Sequence, residues 1–297
     1  MANDLACSFD PTSGPQLRAV LSKHGFRPRR SLGQTFLTDG NIVRKVVTLA
    51  GIGEDDAVVE IGAGAGAMTR VLASVARRVV AIEIDPVLVG VLEQMLSGRA
   101  EVMRADVLAV AWEKVFGPQS RGRWIVVANL PYSITGPAIL RLLEARDWVQ
   151  RIVIMVQREV AERIVAPPGG RTRGLLSVVV ETTCQANLVA HVSRNCFWPR
   201  PKVDSALLYL VVRHPPLIAP ALEPIFQQLV RAAFATRRKT MLNALANASE
   251  LGLSKQSARA LLDQCQVGAD LRAEALAATD FCRLTEAMAR LRGTLPA

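Results

Sequence analysis

An apolar run, Trp124 to Ala128, ends at Asn129, and Leu130, Pro131 and Tyr132 follow. A turn can use the Asn and the Pro, but it does not need an aromatic ring. Together the four residues could act on the exocyclic amino group of a nucleobase. That nitrogen is a poor nucleophile, because its lone pair is delocalised into the ring. If its two N–H bonds donate to the amide oxygen of Asn129 and the carbonyl oxygen of Leu130, the nitrogen is drawn toward a tetrahedral geometry. Pro131 stiffens the turn and brings no competing N–H. Tyr132 offers a face on which an extracted base can stack. Attack on a sulfonium methyl group would need no strong base, since the resulting cation sheds its proton readily. Most of the rate would come from alignment of nitrogen, methyl and sulfur. The plain alternative is a strand end with a turn and a packed Tyr.

A second group sits earlier in the chain. Glu60-Ile-Gly-Ala-Gly-Ala-Gly66 follows one predicted strand and opens a predicted helix. Gly62 and Gly64 let the backbone turn tightly and approach a ligand closely, and the helix N-terminus adds free N–H groups. Glu83 ends the next strand, where a carboxylate can accept both hydroxyls of a ribose. Asp106 follows the third strand and could accept a hydrogen bond from an adenine amino group; an Asp there is equally an N-cap or loop residue. The pattern Gly62-x-Gly64-x-x-Ala67 fits a dinucleotide as well as S-adenosylmethionine, so the loop alone does not choose between them.

These residues need a scaffold, and the pattern supplies one. Ala57–Ile61, Arg78–Ile84, Glu101–Ala105, Trp124–Ala128 and Arg151–Val156 read as strands. Asn41–Ala50, Ala67–Ala76, Pro86–Leu96, Pro137–Ala145 and Glu159–Val165 read as helices, the first capped by Asp39 or Asn41. Apolar strands alternating with helices predict an α/β fold, a parallel sheet covered on both faces. Ligands of such sheets bind at the carboxyl edge. Leu175–Thr183 fits a strand or a helix, and Ser205–Val212 a last strand. His214-Pro-Pro216 and Pro220 then break the chain, and only helical patterns follow: Glu223–Ala235, Lys239–Ala248, Lys255–Cys265 and Asp280–Arg292. The expected organisation is a flexible lead over 1–30 holding a short helix, Gln16–His24, an α/β domain over 31–214, and a small all-helical domain over 215–297.

Composition narrows the partners. Lys plus Arg is 36 against 26 Asp plus Glu, a formal net charge of +10, which suits a polyanion, most often nucleic acid. The five Cys are scattered with no CxxC pair, as expected of reduced thiols in a cytoplasmic compartment. The three His lie near no second ligand at metal spacing, so no metal is expected. The first residues lack the basic start and apolar core of a signal peptide. The longest apolar stretch, Val79–Leu92, carries Glu83 and Asp85 and is too short and charged to span a membrane.

The stretches Ser31-Leu-Gly-Gln-Thr-Phe-Leu37, Val59-Glu-Ile-Gly-Ala-Gly64, Ala81-Ile-Glu-Ile-Asp85, Asn129-Leu-Pro-Tyr132, Phe197-Trp-Pro-Arg-Pro-Lys-Val-Asp-Ser205 and Ala233-Phe-Ala-Thr-Arg-Arg-Lys-Thr240 occur in this order. From about Arg29 to the C-terminus the sequence resembles the KsgA family, the ribosomal small-subunit RNA adenine dimethyltransferases. The resemblance implies a Rossmann-like class I methyltransferase domain that uses S-adenosylmethionine. It implies cofactor contacts from Thr35 and Leu37, from Gly62 and Gly64 to the methionine part, from Glu83 to the ribose and from Asp106 to the adenine. Asn129 would sit between cofactor and target base, and Tyr132 and Phe197 would clamp the flipped adenine. The implied reaction dimethylates two adjacent adenines in the 3′-terminal hairpin of small-subunit ribosomal RNA during ribosome biogenesis. The implied partner is the pre-assembled small subunit, bound by a cytoplasmic monomer. Position 35 is usually Asn or His in that family and is Thr here; position 133 is usually Asn and is Ser here.

Further cations are candidate RNA contacts: Arg194, Arg200 and Lys202 beside Phe197 and Trp198, then Arg237, Arg238 and Lys239 near Arg231, and Arg27, Arg29 and Arg30. Residues 167–173, PPGGRTR, read as a mobile loop that orders on RNA. Three competing readings follow. A methyltransferase for large-subunit RNA is disfavoured by the PKVDS and RRKT stretches. A nonenzymatic RNA-binding assembly factor would have no use for Glu83, Asp106 and Asn129 together. A nicotinamide-dependent dehydrogenase would need a hydride-transfer acid, and no His or Lys is placed for one.

Overall fold

The computed structural model describes residues 9–29, 33–117 and 123–294. Of the residues named above, Cys7, Arg30, Ser31 and Leu32 lie outside them. The chain divides into two compact units, Met1–Ala161 with Asn187–Val212, and Glu162–Ala186 with Arg213–Ala297.

The first unit is built on nine strands and seven helices among the described residues. In chain order they are α1 (Gly14–Lys23), β1 (Phe36–Leu37), α2 (Gly40–Ala50), β2 (Ala57–Ile61), α3 (Ala67–Val75), β3 (Arg78–Glu83), α4 (Pro86–Leu96), β4 (Glu101–Arg104), α5 (Trp112–Phe116), β5 (Trp124–Asn129), α6 (Thr135–Glu144), β6 (Val149–Gln157), α7 (Arg158–Ile164), β7 (Cys184–Val192), β8 (Phe197–Trp198) and β9 (Ser205–Val212); α7 and β7 run across the division between the units. Seven strands form one sheet in the order β4-β3-β2-β5-β6-β9-β7. β2, β3, β4, β5 and β6 run parallel, and β9 is antiparallel to β6. All five residues of β2 are buried, as a strand covered on both faces requires. Asp39 starts α2 by accepting from the N–H groups of Asn41 and Ile42, and Asp85 starts α4 by accepting from Val87. The chain lays down β2, β3 and β4 toward one edge and then places β5 on the far side of β2. That reversal opens a crevice at the carboxyl ends of β2 and β5.

Three expectations change. Residues 9–29 are no loose lead: Phe9, Leu17, Leu21 and Phe26 are buried with Phe36, Leu88, Leu92 and Met95, because α1 turns an apolar stripe onto the sheet's helices. Leu175–Thr183 is a helix, α8. Its Val178 belongs to the core of the C-terminal helices, so residues 162–186 group with that unit, while the later division falls between Val212 and Arg213, two residues before the expected one. The loop at 167–173 is pinned within the second unit. Arg173 is 2% exposed and donates to the carbonyls of Leu276 and Ala166 and to Glu181, while the Gly169 N–H donates to the Glu274 carbonyl.

The second unit continues with α9 (Glu223–Phe234), α10 (Met241–Ala246), α11 (Lys255–Gln264) and α12 (Ala278–Leu291). Phe226, Leu229, Met241, Leu261, Phe281 and Leu284 fill its core. Among the described residues no helix is long and apolar enough to cross a membrane.

Candidate active site

The sheet register brings the predicted residues together. Ile61 of β2 pairs with Ile82 of β3 and with Ala128 of β5, so Gly62, Glu83 and Asn129 emerge side by side. Gly62 has φ 71°, and a Cβ there would lie 3.3 Å from the Asn129 carbonyl oxygen; a larger residue would push the two strand ends apart. A cavity of about 290 Å³ opens at this edge, lined by Thr35, Gly62, Gly64, Glu83, Asp106, Asn129 and Leu130 among others.

Glu83 is held from three sides. One carboxylate oxygen accepts from Gly64 N–H at 2.8 Å, the other from Ile84 and Asp85 N–H at 2.8 and 3.0 Å. Burial pushes its pKa above the usual carboxylate value, and the three N–H donors act in the opposite direction. The side chain therefore cannot swing away from the glycine loop without breaking several bonds. Asp106 lines the same cavity and remains exposed, while its Oδ1 accepts from Leu108 N–H at 2.9 Å. It is thus a loop-capping residue and a cavity residue at once.

Asn129 ends β5 half-buried. Its Nδ2 donates to the Thr35 carbonyl at 3.4 Å, which leaves Oδ1 as the acceptor end of the amide. Since Thr35 makes this contact through its main chain, Thr in place of Asn or His does not alter it. Leu130 N–H donates to the Met155 carbonyl of β6 at 3.2 Å, and the Ile134 N–H and Thr135 hydroxyl converge on the Pro131 carbonyl. Gly33, at φ 65°, lets the preceding segment lie against this turn; a Cβ there would come within 3.2 Å of the Tyr132 nitrogen. Tyr132 is half-buried between Pro131 and Ser133, which both line the cavity. Its hydroxyl lies 2.7 Å from the Ser205 hydroxyl.

Other predicted residues fall elsewhere. Leu37 lines a smaller cavity of about 30 Å³ behind the glycine loop, together with Glu60 and Asn129. Phe197 is 4% exposed, pairs with Leu37 across the β1–β8 ribbon and lines neither cavity. Its side chain is packed in the core cluster that holds Val43 and Val46 of α2. Arg200 and Lys202 are exposed on the loop before β9. Arg237, Arg238 and Lys239 are exposed in the second unit. They occupy the turn between α9 and α10, not a helix face.

Among the cavity residues to which the sequence reading gave no role are Ile84 and Glu60. Ile84 is 54% exposed at the cavity wall, near Leu88, Val107 and Leu108; an apolar residue directly after a strand-ending carboxylate was the signal. Glu60 is 1% exposed inside β2, and its Oε2 has no hydrogen-bond partner. Burial pushes its pKa up to about 8, the nearby Thr69 hydroxyl pulls the other way, and the Glu83 charge adds to the rise. A Glu in the middle of a fully apolar strand was its signal.

A parallel sheet with a glycine loop at its switch point, a fixed carboxylate one strand over and an amide on the strand across defines a Rossmann-type methyltransferase. The model of the ribosomal RNA adenine dimethylases matches residues 25–290. The chain belongs to that family and is an enzyme, an rRNA adenine dimethyltransferase. It is 41% identical to the ribosomal RNA small subunit methyltransferase A of Shouchella clausii over 94% of this chain and 96% of that one. The protein of that name from Moorella thermoacetica is also 41% identical, over 91% and 96%. Among solved structures, a dimethyladenosine transferase from Plasmodium falciparum matches with a TM-score of 0.72 at 25% identity, covering 83% of this chain and 94% of that one. The 23S rRNA methyltransferase ErmE matches with 0.63 at 30% identity, covering 85% and 99%.

Proposed function

We propose that the protein transfers methyl groups from S-adenosylmethionine to the N6 amino groups of two adjacent adenines in the 3′-terminal hairpin of small-subunit ribosomal RNA. It would act as a cytoplasmic monomer on pre-assembled small subunits. The observation that carries this reading is the Asn129 amide, set in the switch-point cavity with Nδ2 engaged by Thr35. The relatives named for the small subunit match at 41% identity and the 23S enzyme at 30%, which favours the small subunit over the large one.

The cavity suits this cofactor. A side chain at Gly62 would close the approach, and the apolar wall at Ile84, Val107 and Leu108 suits a purine. Gly62 and Gly64 would hold the amino-acid tail, Glu83 the ribose, and Asp106 with Ile84 the adenine, with Thr35 and Leu37 closing the near side. The unpartnered oxygen of Glu60 would receive a positively charged amino group. The cofactor supplies an electrophilic methyl group.

The chain's own part is positional. Asn129 Oδ1 and the Leu130 carbonyl accept the two amino hydrogens of the target base and draw its nitrogen out of the ring plane. The ring of Tyr132 carries the base. Water takes the proton that the alkylated nitrogen releases, so no buried general base is needed. Arg200 and Lys202 in one unit, and Arg237, Arg238 and Lys239 in the other, meet RNA phosphates.

The test is transfer of label from S-adenosylmethionine to small subunits that lack the modification, beside Asn129→Ala. Two methyls on each of two neighbouring adenines, lost in the variant, would support the reading. Label appearing only on large-subunit RNA would overturn it.

A further inference from the structure

Two stretches that are separate in sequence meet at one bond. Tyr132, in the short 3₁₀ turn Tyr132–Ile134, and Ser205, the first residue of β9, join through their hydroxyls at 2.7 Å. Their environments differ. Ser205 is fully buried and pairs across the sheet with Gln157 at the end of β6. Tyr132 is half-buried in the turn between Pro131 and Ser133, which line the cavity, and does not itself line it. The bond therefore ties a half-buried side chain on a turn beside the cavity to a residue fixed by the sheet.

The segment leading into Ser205 is itself braced. Arg158 N–H donates to the Asp204 carbonyl at 3.0 Å. Arg194 donates to Asp204 Oδ1 from its main-chain N–H at 3.1 Å and from Nε at 3.2 Å, and its Nη1 reaches the Lys202 carbonyl at 2.7 Å. The run Lys202–Ser205, whose charges suggest an RNA contact, thus turns many of its polar atoms back onto the protein. What it holds in place at its end is the Ser205 hydroxyl.

We propose that Ser205 is a positioning residue for methyl transfer: it fixes the ring of Tyr132 for stacking before the base arrives. This deepens the functional reading above and rests on it for the role of the ring. An aromatic side chain has two torsions, and a bond at its far end restrains both. Ring order is then supplied by the fold and not by the substrate, which lowers the entropic cost of capturing a base. The arrangement also says why a Tyr and not a Phe stands at 132. The phenolic oxygen serves as an anchor, and the face of the ring does the recognition.

The test uses the full-length protein, labelled S-adenosylmethionine and small subunits lacking the modification, in single turnovers and at steady state. Ser205→Ala, Tyr132→Phe and the double variant are compared with the parent. Each single change should lower the single-turnover rate about tenfold, the scale of one anchoring hydrogen bond. The double variant should be no slower than either single one, because both remove the same bond. Affinity for subunits and for S-adenosylmethionine should stay within about twofold, so the loss falls on kcat and not on KM. Tyr132→Phe keeps the test sound if Ser205→Ala folds poorly, since it deletes one oxygen at a half-buried site. Single variants at the parent rate would overturn the proposal. So would losses that multiply to about a hundredfold in the double variant, or a loss confined to KM. A parent protein that transfers nothing would remove the functional reading and this inference with it. A parent that transfers normally beside equally active variants would remove this inference alone.

Discussion

Two basic stretches look alike in the sequence and differ in the structure. Within Arg194–Asp204 one of three cations is occupied, while Arg200 and Lys202 are exposed. Arg194 is bound to Asp204 and to the Lys202 carbonyl, and its bonds to Asp204, the main-chain N–H first, hold that carboxyl below the usual range. At Arg237–Lys239 all three side chains are exposed on a turn. Charge in a sequence counts cations without saying which of them the fold has taken. The distinguishing mark was an acidic neighbour, Asp204, inside the first stretch and none inside the second. The first stretch turns Arg194 inward to brace its own loop and keeps Arg200 and Lys202 exposed, whereas the second keeps all three of its cations exposed.

The cavity should show the largest effect of any region. Asn129→Ala should slow single-turnover transfer by about a hundredfold to a thousandfold, with subunit binding and melting temperature near those of the parent. A variant that binds subunits poorly would place Asn129 with the exposed cations proposed to meet RNA and blur the comparison.

Glu60 sharpens it from inside the site, as the one carboxyl there with an unpartnered buried oxygen. Its folded pKa of about 8 lies above its ordinary 4.5. The folded state therefore holds one proton more than the unfolded state across that window, and stability falls as pH rises from about 5 to 8. Glu60→Gln should abolish that slope and exceed the parent by a few kcal/mol at pH 8, on the order of the shift itself. Urea melts of the ligand-free protein at several pH values read this directly, and parallel curves for the two proteins would refute it.

The exposed turn comes next. Replacing Arg237, Arg238 and Lys239 by Ala should weaken subunit binding by about tenfold to a hundredfold and flatten its salt dependence by about two to three ion equivalents. The rate within the bound complex should be unchanged. Arg194→Ala should have the smallest effect: a lower melting temperature and a few-fold slower transfer at every salt concentration. If its only consequence were a flatter salt dependence, the two stretches would be the same kind of surface after all.

Much of the first unit was legible because buried parallel strands are plain apolar runs. Ala57–Ile61 and Pro86–Leu96 have the bounds expected of them, and β5 runs one residue further, to Asn129. β7 was missed because Cys184–Val192 mixes Gln, Asn and His with apolar residues and alternates in burial. β1 and β8 have two residues each, too few for any periodicity. The cavity residues from the glycine loop to Asn129 were legible as residue types at strand ends. The burial of Phe197 was not, since an aromatic beside Trp, Pro and Arg reads as exposed until its strand partner is known. Glu60 was hidden by its neighbours, and the Tyr132–Ser205 bond joins positions that no local pattern connects.

The small β1–β8 ribbon has a consequence for the order in which the protein is made. Phe36 and Leu37, beside the cavity wall, are paired with Trp198 and Phe197, about 160 positions later in the chain. A nascent chain can have its glycine loop, Glu83 and Asn129 in the growing sheet well before residue 198 has been synthesised, yet the cavity wall at Phe36 cannot be paired until then. Contacts of such separation form late. A truncated product ending short of Phe197 would carry the glycine loop, Glu83 and Asn129 and still lack the strand that pairs with Phe36 and Leu37.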